Sequence, residues 1–486
     1  MISNSWSRAL ASVVLTLAGF PASALEAGSP VLESLAFAGG AAVGPCIGPF
    51  LSSTGRYLTF TCVSDDVVAG DANERSDTFI KDRNTGVVDR VSVDSNEVEY
   101  RFTSGGGFPS VDGRYVVFTS AAPLHPDLDF PYTGFGYGNP FLRDRLLGTT
   151  ELLGRTATGH YPPQSGAAQL RGVSFPTNLV LFTSQSNMID ATEPPIPRPV
   201  QLYIRNWNTG AVTLVTRTLA GSFSATGASG NATISPDGRY VAFMSYASDI
   251  NAENPTGTDQ LMLHDVATGV TRRLSFPLSG GEFTGAPYYQ NTAGRFSADG
   301  QLLAVEANSD ELGPGDATGF SDIYVIHTQI GRYELVSSGF NGARPDNASF
   351  APSISADGRY VVFFSRASNL LATPQLPAVY VKDRWTGVLI NVSAPLGAPR
   401  NPSEARTDIS ADGSTLAFDW RHPDAYPSLG SRTLVYSVQL RGSPLAAPVT
   451  VPATGPRMLL LGALALVLAS LFSIGRRARD LGHGNG

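Results

Sequence analysis

Two stretches of the 486-residue chain place oxygen-bearing side chains at matching intervals. "DANERSD" carries Asp71, Asn73 and Asp77, and "DATGFSD" carries Asp316, Thr318 and Asp322. Hard oxygen donors at a D-x-N/T-x-x-x-D spacing match part of a calcium-coordinating loop, without the glycine and distal glutamate of a complete EF-hand. The competing reading is a solvated turn, because Asp, Asn and Gly are ordinary turn residues. Calcium at Asp71, Asn73, Asp77, Asp316 and Asp322 is thus one expectation, and no other cofactor is implied. Cys46 and Cys62 are the two cysteines, too few to ligate a metal by themselves. They flank the Thr54–Gly55 turn almost symmetrically, so a hairpin would set them face to face, and in an exported protein a disulfide is the expectation, with two buried thiols as the alternative. Closing so short a loop adds about 3 kcal/mol by chain entropy.

Other chemistry is sparse. No G-x-S-x-G or HExxH is present, so neither a nucleophile elbow nor a zinc-protease helix is encoded. The six histidines (125, 160, 264, 327, 422, 483) do not recur at one repeat position. His264 and His327 fall at or beside turns where other units carry Asp, a structural placement. No catalytic residue is therefore expected. "HPDLDFPYTGFGYGNPF" is different in kind. Its Phe130, Tyr132, Phe135 and Tyr137, set among glycines, could form a binding face for carbohydrate or protein, or fold back onto the domain beneath.

The elements that must position these residues are repetitive. Phrases such as "SVDGRYVVF", "SPDGRYVAF" and "SADGRYVVF" recur. Aligned on their Ser, the position three residues on is Gly55, Gly113, Thr177, Gly238, Gly300, Gly358 and Gly413, spaced by 55 to 64 residues. Eight residues after each Ser stands Phe60, Phe118, Phe182, Phe243, Val305, Phe363 or Phe418. Asp-Gly makes a tight turn, and the alternating β-branched and aromatic text after it makes a strand with one buried face. Each unit then carries an apolar strand closing on an Asp/Asn-x-x-x-Gly turn, as in "TFIKDRNTG" and "AVYVKDRWTG", followed by a short outer strand. Four strands per unit, arrayed radially, predict an all-β β-propeller with the recurring Phe between blades. The seventh unit lacks an outer strand, and "SPVLESLAFAGG" (Ser29 to Gly40) has the text of one. The expectation is seven four-stranded blades closed by this N-terminal strand. Six blades plus a degenerate unit is the alternative, since unit three has Pro176 and Thr177 where Asp-Gly is expected.

These phrases resemble TolB-type, or WD-like, β-propeller repeats over roughly residues 46 to 440. The resemblance implies the fold and says little of function. TolB itself has a separate N-terminal domain and fewer blades. No such domain fits between Leu25 and the first unit, so a Tol–Pal role is not carried over.

The ends suggest export. Arg8, an apolar Ala9 to Phe20 and Ala22-Ser23-Ala24 read as a signal peptide over 1–24. The propeller follows over 25–442, then a Pro-rich spacer (443–457), an uncharged apolar span (458–474) and a basic tail (475–486). That span is about 25 Å long as a helix, enough for a short transmembrane anchor, and Arg476, Arg477 and Arg479 put the tail on the cytoplasmic side. "VPATGP" with the apolar span and Arg cluster resembles the LPxTG, IPTL and PEP-CTERM sorting signals. The net charge of −7 argues against nucleic acid. The expected protein is a non-enzymatic propeller, periplasmic or at the cell surface. It is anchored by its C-terminus and binds a protein or glycan partner; a lyase or glycosidase with its site in the central channel is the alternative. The sequence leaves oligomeric state open.

Overall fold

The computed structural model describes residues 25–441 apart from 127–137, 160–167, 186–187, 190–198, 222–223, 225–230, 253–258, 277–293, 309–311, 313–318, 400–404 and 422–431. They belong to one compact unit, Ala24–Gly442. The expected signal peptide, spacer, anchor and basic tail lie outside the described residues, as do Phe130, Tyr132, Phe135, Tyr137 and Asp316. Among the described residues no helix is long and apolar enough to cross a membrane.

The chain forms seven antiparallel sheets in sequence order, a seven-bladed propeller. Blade 1 runs outward from the inner strand Cys46–Leu51 through Tyr57–Val63 and Ser76–Asp82 to Val88–Arg90. The inner strands of blades 2 to 7 are Ser104–Pro109, Gln169–Ser174, Ala232–Ile234, Arg295–Phe296, Ser349–Ile354 and Thr407–Ile409. Blade 3 is a full four-stranded sheet. Having lost Asp-Gly, it turns instead through Asn178, one residue later, at φ +56°. Asn tolerates this left-handed conformation better than most residues. The alternative of six blades therefore falls away.

Blade 2 shows why the phrase recurs. Ser110 Oγ donates to Asp112 (2.6 Å) and accepts from the Tyr115 amide (2.9 Å), while Asp112 accepts from the Arg114 amide (3.1 Å). Arg114 then pairs with Asp144 at the end of the third strand (2.7 Å) and lies 4.8 Å from the Tyr115 ring. Blade 6 repeats the arrangement with Ser355, Asp357, Arg359, Tyr360 and Asp383. Gly113 has φ +68°, and a Cβ there would fall 2.5 Å from the Tyr57 ring of the preceding blade. The turn is thus also a joint between blades.

The second motif is a joint as well. Arg83, Arg145 and Arg384 each donate to the Gly carbonyl of their own blade's first turn. Each also pairs with an acid on or next to the preceding blade's outer strand: Glu33, Asp89 and Glu334 respectively. The recurring aromatic sits between blades as expected. Phe60, Phe243 and Phe363 are buried against Ala417, Leu181 and Ala304 of the blades before them.

Closure is made by the N-terminal segment. Val31–Leu32 pairs with Ser437 and Tyr436 on the last strand of blade 7, and Glu26–Ala27 with Arg441 and Leu440. Pairing thus begins a few residues before the expected Ser29. Turn backbones also link neighbouring blades: the Ala356 amide of blade 6 donates to the Ala411 carbonyl of blade 7 (2.9 Å), and the Ala411 amide crosses the seam to the Ser53 carbonyl of blade 1 (2.8 Å). Cys46 and Cys62 are direct cross-strand partners and form the disulfide.

Candidate functional site at the channel mouth

The inner strands converge on the propeller axis, and the residue two before each turn Ser faces the channel. Around the ring these are Phe50, Phe108, Gly172, Thr233, Arg295, Ser353 and Asp408, one per blade. All seven line a single cavity of about 320 Å³, rimmed by turn residues that include Ala298, Ala356 and Ala411. Its walls are mostly apolar, because the next residue in each strand is Leu51, Pro109, Val173, Ile234, Phe296, Ile354 or Ile409.

Arg295 reaches from blade 5 across the axis. Its guanidinium carbon lies 4.7 Å from the Phe50 ring centre and 5.8 Å from that of Phe108, and the two rings are 4.6 Å apart. Cation–π attraction holds the guanidinium against these rings without using its N–H donors, and Arg295 lines the cavity. Among the described residues it donates no hydrogen bond and joins no ion pair. Asp408, the acid of the ring, is otherwise engaged: Oδ2 accepts from the Leu51 amide (2.7 Å) and Oδ1 from Ser353 Oγ (3.0 Å). Burial pushes its pKa up, opposed by the charge of Arg295 and these hydrogen bonds.

Farther along the channel, β-bulges in the inner strands expose amides that the preceding blade must satisfy. Asp419 accepts from the Gly48 amide (3.0 Å), Glu306 from that of Ala351 (3.2 Å), and Thr61 from that of Gly106 (3.2 Å). Burial raises the Asp419 pKa to about 6 against the pull of the Gly48 and Arg406 amides. Acids from blades 5 and 7 thus hold main chain in place. Arg171, the bulged residue of blade 3, reaches Thr183 Oγ1 (3.3 Å) and Gln169 without a carboxylate partner among the described residues, and desolvation lowers its pKa.

The residues singled out from sequence lie elsewhere. Asp71, Asn73 and Asp77 come together in blade 1, away from Asp322 in blade 5. Asp77 accepts from Ser92 Oγ (2.5 Å) and the Asn73 amide (2.7 Å), and Asp322 accepts from Ser337 Oγ (2.6 Å) at the equivalent strand start. Asp71 lies 2.8 Å from Arg90 as an ion pair without a hydrogen bond, and Arg90 also donates to Glu99. Burial lifts the Asp71 pKa to about 7, with Arg90 opposing. Among the described residues no group of three or more His, Cys, Asp or Glu is arranged to hold a metal. His264 is buried on Thr271 Oγ1 (2.9 Å), and desolvation lowers its pKa to about 4.

The ring was missed in the sequence because each member reads as an ordinary strand residue. The signal was available as contrast: in register, the turn Ser is constant while the position two before it runs Phe, Phe, Gly, Thr, Arg, Ser, Asp. A repeat that must build identical joints has no structural need for six residue types at seven equivalent positions.

No protein-family model matches the chain, and no curated protein does. Among solved structures it is similar to an oligogalacturonate lyase in complex with manganese, at 12% identity and TM-score 0.51, over 86% of this chain and 98% of that one. TolB from Acinetobacter baumannii matches at 14% identity and TM-score 0.37, over 79% and 82%. A prolyl endopeptidase matches at 10% identity and TM-score 0.46, over 85% and 51%. The first of these shows the propeller fold; the other two likenesses are too low to argue from.

Proposed function

We propose that this protein is a non-enzymatic propeller of the cell envelope, exported and held by its C-terminal apolar span, which binds a protein or glycan partner at the mouth of its central channel. The observation that carries this reading is the seven-residue ring. It is where the repeat gives up repetition, and it surrounds a cavity with one guanidinium that, among the described residues, makes no hydrogen bond or ion pair. A largely apolar concavity with a few converging polar groups is the usual form of a binding site.

The alternative, a lyase or glycosidase, draws on the nearness of Asp408 and Arg295 and on the fold of the lyase. Against it, general acid–base chemistry needs a carboxyl within reach of substrate, and Asp408, Asp419 and Glu306 are all bonded to the scaffold. The test is capture of partners from envelope extracts by three proteins: unaltered, Arg295→Met with Phe108→Ala, and one lacking residues 130–137. The reading expects loss of the partner in the channel variant and retention in the loop variant. Retention in the channel variant with loss in the loop variant would move the site to the aromatic loop.

A further inference from the structure

Resting on that reading, we propose that Arg295 is the receptor for a free C-terminal carboxylate of a peptide chain, whose last side chain enters the apolar collar of the cavity. The stacked guanidinium presents a planar fork of donors that matches a carboxylate in two-point geometry. Inside a cavity walled by Leu51, Val173, Ile234, Phe296 and Ile354, such a fork gains most from an ionised acceptor. One arginine at the mouth without a hydrogen-bond or ion-pair partner among the described residues calls for one anionic group. The volume of about 320 Å³ stands at the small end of ligand pockets, suited to a chain end and too small for a folded surface.

The same geometry disfavours a sugar acid. A glycan would use the Phe50 face for stacking, and the guanidinium lies over that ring. Its many hydroxyls would also find few partners, since Ser353 already donates to Asp408, leaving Thr233 in the ring and Ser53 at the rim. Asp408 opposes any incoming anion, but its oxygens are turned toward Leu51 and Ser353, and no ion pair joins it to Arg295. Small rim residues, Ala298, Ala356 and Ala411, leave the mouth open to an extended strand.

The experiment is equilibrium dialysis of the purified full-length protein in detergent, read by mass spectrometry. The probes are N-acetylated tetrapeptides ending in leucine or phenylalanine, each as free acid and as C-terminal amide, together with trigalacturonate. The free acids should be retained, the amides about 10–100-fold more weakly, the usual effect of losing hydrogen bonds to a charged group. Arg295→Met should abolish the preference for acid over amide, and Arg295→Lys should keep part of it, with unchanged melting temperatures showing that both variants fold. Equal retention of acid and amide, or an acid preference that survives Arg295→Met, overturns the proposal. So does retention of trigalacturonate in place of the peptides. If no probe is retained, the carboxylate assignment falls, while partner capture by the channel variant separately decides the wider binding reading.

Discussion

Glu33 is the residue on which ring closure is most exposed to test. Its side chain is 4% exposed and lies 2.8 Å from Lys81 Nζ and 2.8 Å from Arg83 Nε, whose side chains are 9% and 13% exposed. Ser437 Oγ adds a third donor at 2.6 Å, so the N-terminal segment, blade 1 and blade 7 meet on one carboxylate. Burial alone would raise the Glu33 pKa; the hydrogen bond from Arg83 and the charge of Lys81 outweigh it and hold the pKa below its ordinary 4.5. Glu33→Gln removes the anion and leaves two buried cations uncompensated, a change that costs about 3–5 kcal/mol. At about 2 °C per kcal/mol for a long chain, the melting temperature followed by circular dichroism should fall by about 6–10 °C. Removing both charges, as Glu33→Leu with Lys81→Met, should recover part of that loss, because an apolar replacement leaves fewer unpaired groups. The equivalent joint at Asp89, whose side chain is 47% exposed, gives the control: Asp89→Asn should cost less than about 1 kcal/mol. Since the folded pKa of Glu33 is depressed, its contribution is present above pH 4.5 and disappears as pH falls through the folded value. A Glu33→Gln protein melting within 1 °C of the unaltered one would refute this account of closure.

Further predictions concern the joints and the acidic cluster. Gly113→Ala combines a left-handed backbone with the Tyr57 ring and should cost about 2–4 kcal/mol in urea unfolding, whereas Gly86→Ala, at φ +77° in open space, should cost about 1 kcal/mol. Reducing Cys46–Cys62, or replacing both by Ala, should lower stability by about 3 kcal/mol, checked by unfolding with and without reductant. Asp71, with a folded pKa of about 7 against an ordinary 3.8, favours stability at low pH and loses that contribution as pH rises through 7; Asp71→Asn should flatten the slope of stability between pH 5 and 8. Calcium should leave the melting temperature unchanged, because the Asp71 cluster already holds Arg90; a rise would restore the metal reading.

Much of the fold was legible because a propeller writes its joints in sequence. The Ser, Asp, Gly and Arg of each turn satisfy local hydrogen bonds, so they recur in every unit that makes them. The disulfide followed from symmetry about one turn, and the closing strand from a unit that lacked an outer partner. Contacts between distant blades were not legible. Arg83 reads as part of a turn, and nothing local reveals that it reaches Glu33, fifty residues earlier. Arg295 lies in the short inner strand of blade 5, and its stacking on Phe50 depends on the ring closing first. The hydrogen bonds of the acidic stretch were hidden for a similar reason: Asp77 and Asp322 tie strand starts to Ser92 and Ser337 after the outer strand, a pairing that sequence spacing does not single out.

The closed channel and its ring depend on the N-terminal strands completing the last blade. Hydrogen exchange on the intact protein, read by mass spectrometry over residues 28–34, tests this most directly. The amides of Gly28 and Glu33 donate to Gln439 and Val435 at 2.8 Å each, so this segment should exchange as slowly as the inner strands of blade 6. Exchange at the rate of an unstructured peptide, with the remaining blades protected, would contradict the closed ring.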